Sequence, residues 1–284
     1  MKRLVMACID GSSYSSAVCD AAAWAALQMG TPLKFLHVLH KEKAPPHADL
    51  SGSIGLGARE SLLEELAALD EKRGKLAQER GRQLLSAAKQ QASTAGVAEP
   101  EGLQRHGGLV ETLAERQDEI RLLVMGKRGE AAEVASEHLG SHLERVLRAL
   151  PRPILVTNAE FRSPRRVMLA FDGSATARKA LEMVAASPLF KGLPCHLVRV
   201  GNETPEAREE LARARQILEM AGFEAPAVIL PGEAESALSQ YQQEHGIDLM
   251  IMGAYGHSRI RHLLIGSTTT AMLRRSTIPL LLLR

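Results

Sequence analysis

The chain has 284 residues, about twice the length of a typical domain, with 45% hydrophobic and 24% charged residues, so two folded domains with real cores are expected and disorder is excluded. Aromatic residues amount to 3%, too few for the stacking platforms of single-stranded nucleic-acid binders. Thirty-five basic against thirty-three acidic residues leave a net charge of +2, which gives neither DNA nor an anionic membrane a strong electrostatic hold.

The chain starts with Met1-Lys2-Arg3 and an apolar run from Leu4 that stops at Asp10, too short for a signal-peptide core. That run is the first expected strand, near 3–9, and a helix near 13–29 and a strand near 33–39 follow. Residues 41–60 hold Pro45, Pro46, Gly52, Gly55 and Gly57 and read as a flexible loop. From 60 to 94 leucines at 62, 63, 66, 69, 76, 84 and 85 recur at roughly helical spacing. The charged side of that helix reads as solvent surface or as a coiled-coil partner site, the heptad being broken by Gly74 and Gly81. Strands near 102–106, 121–125 and 153–157 alternate with helices near 109–118 and 140–149. After a linker from Asn158 to Pro164, strands are expected near 166–171, 195–200, 226–230, 247–252 and 278–283. The helices between them are expected near 175–186, 205–221, 233–245 and 266–275. The closing run Ile278–Leu283 is far short of the ~20 residues that span a bilayer and reads as a buried strand.

These two series are copies of one unit. Leu4–Ser12 and Val167–Ser174 are both apolar strands ending in Asp-Gly-Ser. Leu122–Gly126 matches Leu249–Gly253, Leu139-Gly140-Ser141 matches Ile265-Gly266-Ser267, and Pro153–Val156 matches Pro279–Leu282. The first copy carries about 36 extra residues, which fall in the 41–60 loop and the long helix. Apolar runs alternating with helical segments specify α/β units, two tandem doubly wound five-stranded parallel sheets, residues 1–158 and 164–284.

In the second copy Gly253 and Gly256 follow a strand, and nine residues later Gly266-Ser267 opens a helix. Glycines there let backbone N–H groups approach an anion, and the helix end adds its positive dipole and the Ser267 hydroxyl. Asp172, at the end of the first strand of the copy, offers a carboxylate to a ribose or an adenine amine. If the first and fourth strands are neighbours, Asp172 and Gly253 flank the crevice where the winding direction reverses.

With these residues in place the chain resembles the universal stress protein family, and its whole length resembles a tandem of two such domains. The resemblance implies a 3-2-1-4-5 strand order, ATP held by the glycine loop, and pairing of two domains through their last strands, here as an intrachain pseudo-dimer or in a higher homo-oligomer. It assigns the adenosine end to Asp172 and the backbone at Val200, and the phosphates to Gly253, Gly256, Gly266, Ser267 and Thr268. ADP or AMP are alternatives to ATP, and Mg would accompany the nucleotide. Three consecutive threonines at 268–270 depart from the usual apolar mix.

The first copy departs further. Gly126-Lys127-Arg128-Gly129 is followed by ten residues before Gly140-Ser141, and that stretch carries Glu130, Glu133 and Glu137 where the second copy has Arg259 and Arg261. Lys127 and Arg128 offset only part of that charge. Asp10, Gly126, Gly129, Gly140 and Ser141 therefore form at most a second, weaker site, and ATP is expected in the second copy.

Plainer readings compete. Asp10 and Asp172 suit helix capping. His138 and His142 share a helical face but lack a third metal ligand, and His37 and His40 point to opposite faces of a strand. Cys8, Cys19 and Cys195 have no CxxC spacing, fit a reducing cytoplasm, and leave Cys8 as a core residue. With no Walker loop and no paired base and metal carboxylate, an ATP-binding regulatory protein is expected, ahead of a slow ATPase or a ligand-free scaffold with a protein partner.

Overall fold

The computed structural model describes residues 3–39, 56–129, 141–254 and 267–284. The first half runs β1 (Leu4–Cys8), α1 (Ser15–Met29), β2 (Leu33–Leu39), α2 (Leu56–Thr94), β3 (Glu101–His106), α3 (Leu109–Glu115), β4 (Ile120–Gly126), α4 (Ser141–Ala149) and β5 (Ile154–Thr157). The second runs β6 (Val167–Ala170), α5 (Ala175–Ala186), β7 (Cys195–Val200), α6 (Pro205–Met220), β8 (Ala227–Leu230), α7 (Ala234–Glu244), β9 (Leu249–Gly253), α8 (Ser267–Arg275) and β10 (Leu280–Leu283).

Strand order is β3-β2-β1-β4-β5-β10-β9-β6-β7-β8, so each half has the 3-2-1-4-5 order and the two sheets run on as one of ten strands. All neighbours are parallel except β5 and β10, which pair antiparallel with Leu281 opposite Leu155. Both are short, wholly buried, apolar strands. Each would otherwise leave an open edge, and pairing them closes both.

Alternation along the strands feeds two cores that cross the junction. Val5, Val124, Leu155, Leu169 and Leu281 face one side, covered by α1, α2, α5 and α6; Met6, Leu123, Ile154, Met168 and Leu282 face the other, covered by α3, α4, α7 and α8. The segment joining the halves is pinned where Phe161 meets the buried Trp24, ring centroids 5.7 Å apart.

The long helix expected near 60–94 is α2, 39 residues starting four residues earlier. A Cβ at Gly81 would meet His37 Cδ2 at 2.7 Å and also the Gln104 amide, so this glycine admits the helix against β2 and β3 and does not break it. Cys8 is partly exposed at the margin of the second core, whereas Cys19 and Cys195 are buried. His37 is buried and its Nδ1–H donates to the Ile9 carbonyl at 2.8 Å. His40, His138 and the 41–55 part of the loop lie outside the described residues. Among the described residues no group of three or more His, Cys, Asp or Glu side chains is placed to hold a metal ion, and no helix is long and apolar enough to cross a membrane.

Candidate functional site

β6 stops at Ala170, with β7 on one side and β9 on the other, in register Ala170 to Val198 and Ala170 to Met252. Asp172 and Gly253 thus leave adjacent strands at the carboxyl edge of the sheet, where the winding reverses. The Phe171 N–H donates to the Val198 carbonyl at 2.8 Å. Alternate residues of a strand aim their backbone groups the same way, so Val200 turns its N–H and C=O toward the gap beyond the end of β6.

The Asp172 turn is built from its sequence. Gly173 takes φ 75°, the left-handed region glycine enters without strain. The Ser174 N–H donates to Asp172 Oδ1 at 2.9 Å, and Ser174 Oγ accepts from the Ala177 N–H at 3.1 Å. Ser174 therefore caps α5, against the competing reading that Asp172 does so; Asp172 braces the turn and remains exposed. A Cβ at Gly253 would come within 3.1 Å of Thr176 Cγ2 and 3.2 Å of the Thr176 carbonyl carbon, so β9 ends tight against the first turn of α5. Ser267 and Thr268 open α8 and are exposed, while Thr269 is buried. Gly256, Gly266 and the stretch between them, Arg259 and Arg261 included, lie outside the described residues.

One group at this turn escapes sequence reasoning. Glu210 of α6 accepts from Arg178 Nη1 and from Arg199 Nη1, each at 2.7 Å, tying α6 to the start of α5 and the end of β7. A Cβ at Gly173 would run into its carboxylate. Its partners stand 32 and 11 residues away, so no local spacing signals the cluster. Two guanidinium groups against one carboxylate leave one positive charge, which the Asp172 carboxylate at the same turn balances.

The corresponding turn of the first half is more crowded. Asp10 Oδ1 accepts from the Ser12 N–H at 3.1 Å, an Asx turn rather than a helix cap; the N-cap of α1 is Tyr14, without a side-chain bond. The other Asp10 oxygen lies 2.5 Å from where a Cβ on Gly129 would stand, so the second loop glycine sits against the carboxylate. Tyr14 occupies the place of Thr176, its Cβ 2.7 Å from the Cβ position of Gly126. From α2, Arg80 Nη2 and Leu84 Cδ1 come within 3.2 and 3.3 Å of the Cβ position of Gly11. Lys127, expected to offset loop acids, instead donates to the Ser276 carbonyl at 3.1 Å across the two halves. Ser141 opens α4; Gly140, Glu130, Glu133 and Glu137 lie outside the described residues.

Comparison with known proteins agrees with this architecture. The model of the universal stress protein family matches residues 1–158 and 164–284. Universal stress protein Slr1230 of Synechocystis sp. is 41% identical over 288 residues, covering 100% of both chains. A universal stress protein of Archaeoglobus fulgidus DSM 4304 superimposes with a TM-score of 0.75 at 22% identity, covering 99% of this chain and 98% of that one. A Pseudomonas aeruginosa PAO1 protein gives 0.60 at 18% identity, covering 99% and 92%. At those identities the structural likenesses speak for the fold, and the sequence matches carry the assignment. With two copies of the unit in one chain and their last strands paired, this protein belongs to the universal stress protein family.

Proposed function

We propose that the second half binds an adenine nucleotide, ATP in the first instance, and that the protein works in the cytoplasm as a stress-response regulator whose state follows nucleotide occupancy. The observation that carries this reading is the exposed Asp172 carboxylate just past the end of β6, on the strand whose Ala170 stands in register with Val198, two residues before Val200 on β7. Asp172 and the Val200 backbone offer acceptors and a donor to a ribose and an adenine edge. Gly253 and the start of α8 at Ser267 stand on the adjacent strand and helix, where the sequence spacing with Gly256 and Gly266 suits phosphates. Mg would arrive with the nucleotide, since the described residues supply no ready metal cluster.

The first half is proposed to bind nucleotide weakly or not at all. Its Asp10 abuts Gly129, Tyr14 replaces Thr176, and its loop is one residue longer and acidic. A regulatory role is favoured over catalysis because the sequence carries no Walker loop. Mass spectrometry of small molecules released from the purified protein tests the reading. An adenine nucleotide at about one per chain, absent from Gly256→Val, supports it; a nucleotide-free protein that takes up no added ATP contradicts it. Phosphate release at enzymatic rates would turn it toward an ATPase.

A further inference from the structure

The Asp172 carboxylate and the Val200 backbone stand on different elements, and one side chain bears on both. Glu210 of α6 lies against Gly173, the neighbour of Asp172, and is bonded to Arg199, the neighbour of Val200. Its carboxylate sits where any side chain on Gly173 would stand, and Gly173 holds φ 75° there. Oε2 accepts from Arg199 Nη1 and Oε1 from Arg178 Nη1, each at 2.7 Å, so both oxygens are used. Arg178 joins the cluster from the first turn of α5. The side chains of Arg199 and Glu210 are only 20% and 23% accessible, so this pair is shielded from much of the solvent that weakens a surface ion pair.

The first half has the same strand register without this staple. Ala7 pairs with Phe35 as Leu169 pairs with Leu197, so His37 holds the place of Arg199. Ser16, at the same distance past Asp10 as Arg178 past Asp172, accepts from Gln91 Nε2 at 3.2 Å. His37 bonds the Ile9 carbonyl at 2.8 Å. At the matching turn α2 presents a guanidinium where α6 presents a carboxylate, Arg80 Nη2 standing 3.2 Å from the Cβ position of Gly11. The charge that the second helix brings to this turn is inverted between the halves.

We propose that Glu210 is the positioning residue of the nucleoside subsite: held against Gly173 on one side and Arg199 on the other, it fixes the separation of Asp172 from Val200 and thereby the selectivity for an adenine nucleoside. This role rests on the nucleotide reading of the second half and names the residue that tunes it. Hydrogen-bonding groups on two elements recognise one rigid ligand only when their spacing matches it to within about 0.5 Å. Adenine and guanine present opposite donor and acceptor patterns on the edge that a backbone N–H and C=O would read, so the choice between them depends on that spacing. Without the carboxylate, Arg178 and Arg199 repel each other and the end of β7 is released from the Asp172 turn. Gly253 and α8 follow from β9, on the opposite side of β6 from β7, so contacts to phosphates stay in place.

Calorimetric titration of the full chain with ATP, GTP and tripolyphosphate, in the cold and far below the melting transition, tests it. Glu210→Gln keeps the shape of the side chain and removes its charge. It is expected to weaken ATP about tenfold and to leave GTP and tripolyphosphate unchanged, so the preference for ATP over GTP falls by the same factor. Arg199→Gln is expected to do the same, and the double variant no more than either, because the two side chains act through one link. A carboxylate that merely stabilised the fold would lower the melting temperature without moving the ATP to GTP ratio. A wild-type ratio in Glu210→Gln, or a tripolyphosphate loss equal to the ATP loss, overturns the positioning role and leaves the nucleotide reading standing. A wild type that takes up no ATP overturns that reading and this role with it.

Discussion

The Lys127 ammonium and the Ser276 carbonyl oxygen meet at 3.1 Å across the two halves, 149 residues apart in sequence. The contact turns a loop lysine of the first half into a brace at the C-terminal end of α8, where a positive charge is favoured. Burial, with Arg128 beside it, holds this lysine below its ordinary range.

Lys127→Met is expected to lower the urea midpoint by about 1 kcal/mol of stability while leaving ATP affinity unchanged. Loss of ATP binding in a protein of normal stability would return this side chain to the nucleotide.

Removing Glu210 leaves Arg178 and Arg199 facing each other at the Asp172 turn. Glu210→Ala is expected to cost about 1–2 kcal/mol, discounted because Arg178 is largely exposed. Gly173→Ala is expected to cost a similar amount, since its φ is positive and its methyl would press on the same carboxylate. Thermal melts of both variants indistinguishable from wild type would show that the turn does not depend on this cluster.

His196 lies with its Nδ1 2.9 Å from the Tyr241 hydroxyl, and Tyr241 stacks on His245 at 3.8 Å. Burial first, then His245 and Arg166, hold the imidazole below its ordinary range, with Glu224 pulling the other way. Because its folded pKa is depressed, the unfolded chain takes up the proton first. The stability His196 contributes is present above the ordinary value near 6.5 and is lost as pH falls through the lower folded value. Urea midpoints are expected to drop between pH 7.5 and pH 5, less steeply in His196→Gln; equal slopes contradict the assignment.

Burial pushes the thiols of Cys8, Cys19 and Cys195 up to about 12, with Asp10 adding to the effect at Cys8 and Asp20 at Cys19. The native protein is expected to react slowly with a thiol reagent at pH 8, and all three cysteines to react once it is unfolded. Rapid labelling of one thiol in the native state would mark a local opening.

The sheet was legible because parallel strands buried on both faces are continuous apolar runs, as in Leu122–Met125 and Leu249–Met252. The junction was not written in periodicity: the apolarity of β5 and β10 called for a cover, and the family resemblance pointed to their pairing with each other. The long α2 was legible, but the reason for Gly81 was not, because it lies in a close approach to His37 and Gln104 from other elements. Asp-Gly-Ser was legible as a turn but left the cap open, since aspartate and serine are equally good acceptors and only geometry chooses Ser174. Glu210 and Lys127 find their partners through tertiary structure, which spacing cannot supply.

The two corresponding aspartates are unequal: Asp172 is exposed past the end of β6, and Asp10 is pressed on Gly129. Calorimetric titration of ATP into the intact protein and into Asp172→Ala and Asp10→Ala variants addresses this inequality most directly. One site per chain is expected, lost in Asp172→Ala and kept in Asp10→Ala. Two equal sites, or binding lost only in Asp10→Ala, would contradict the account.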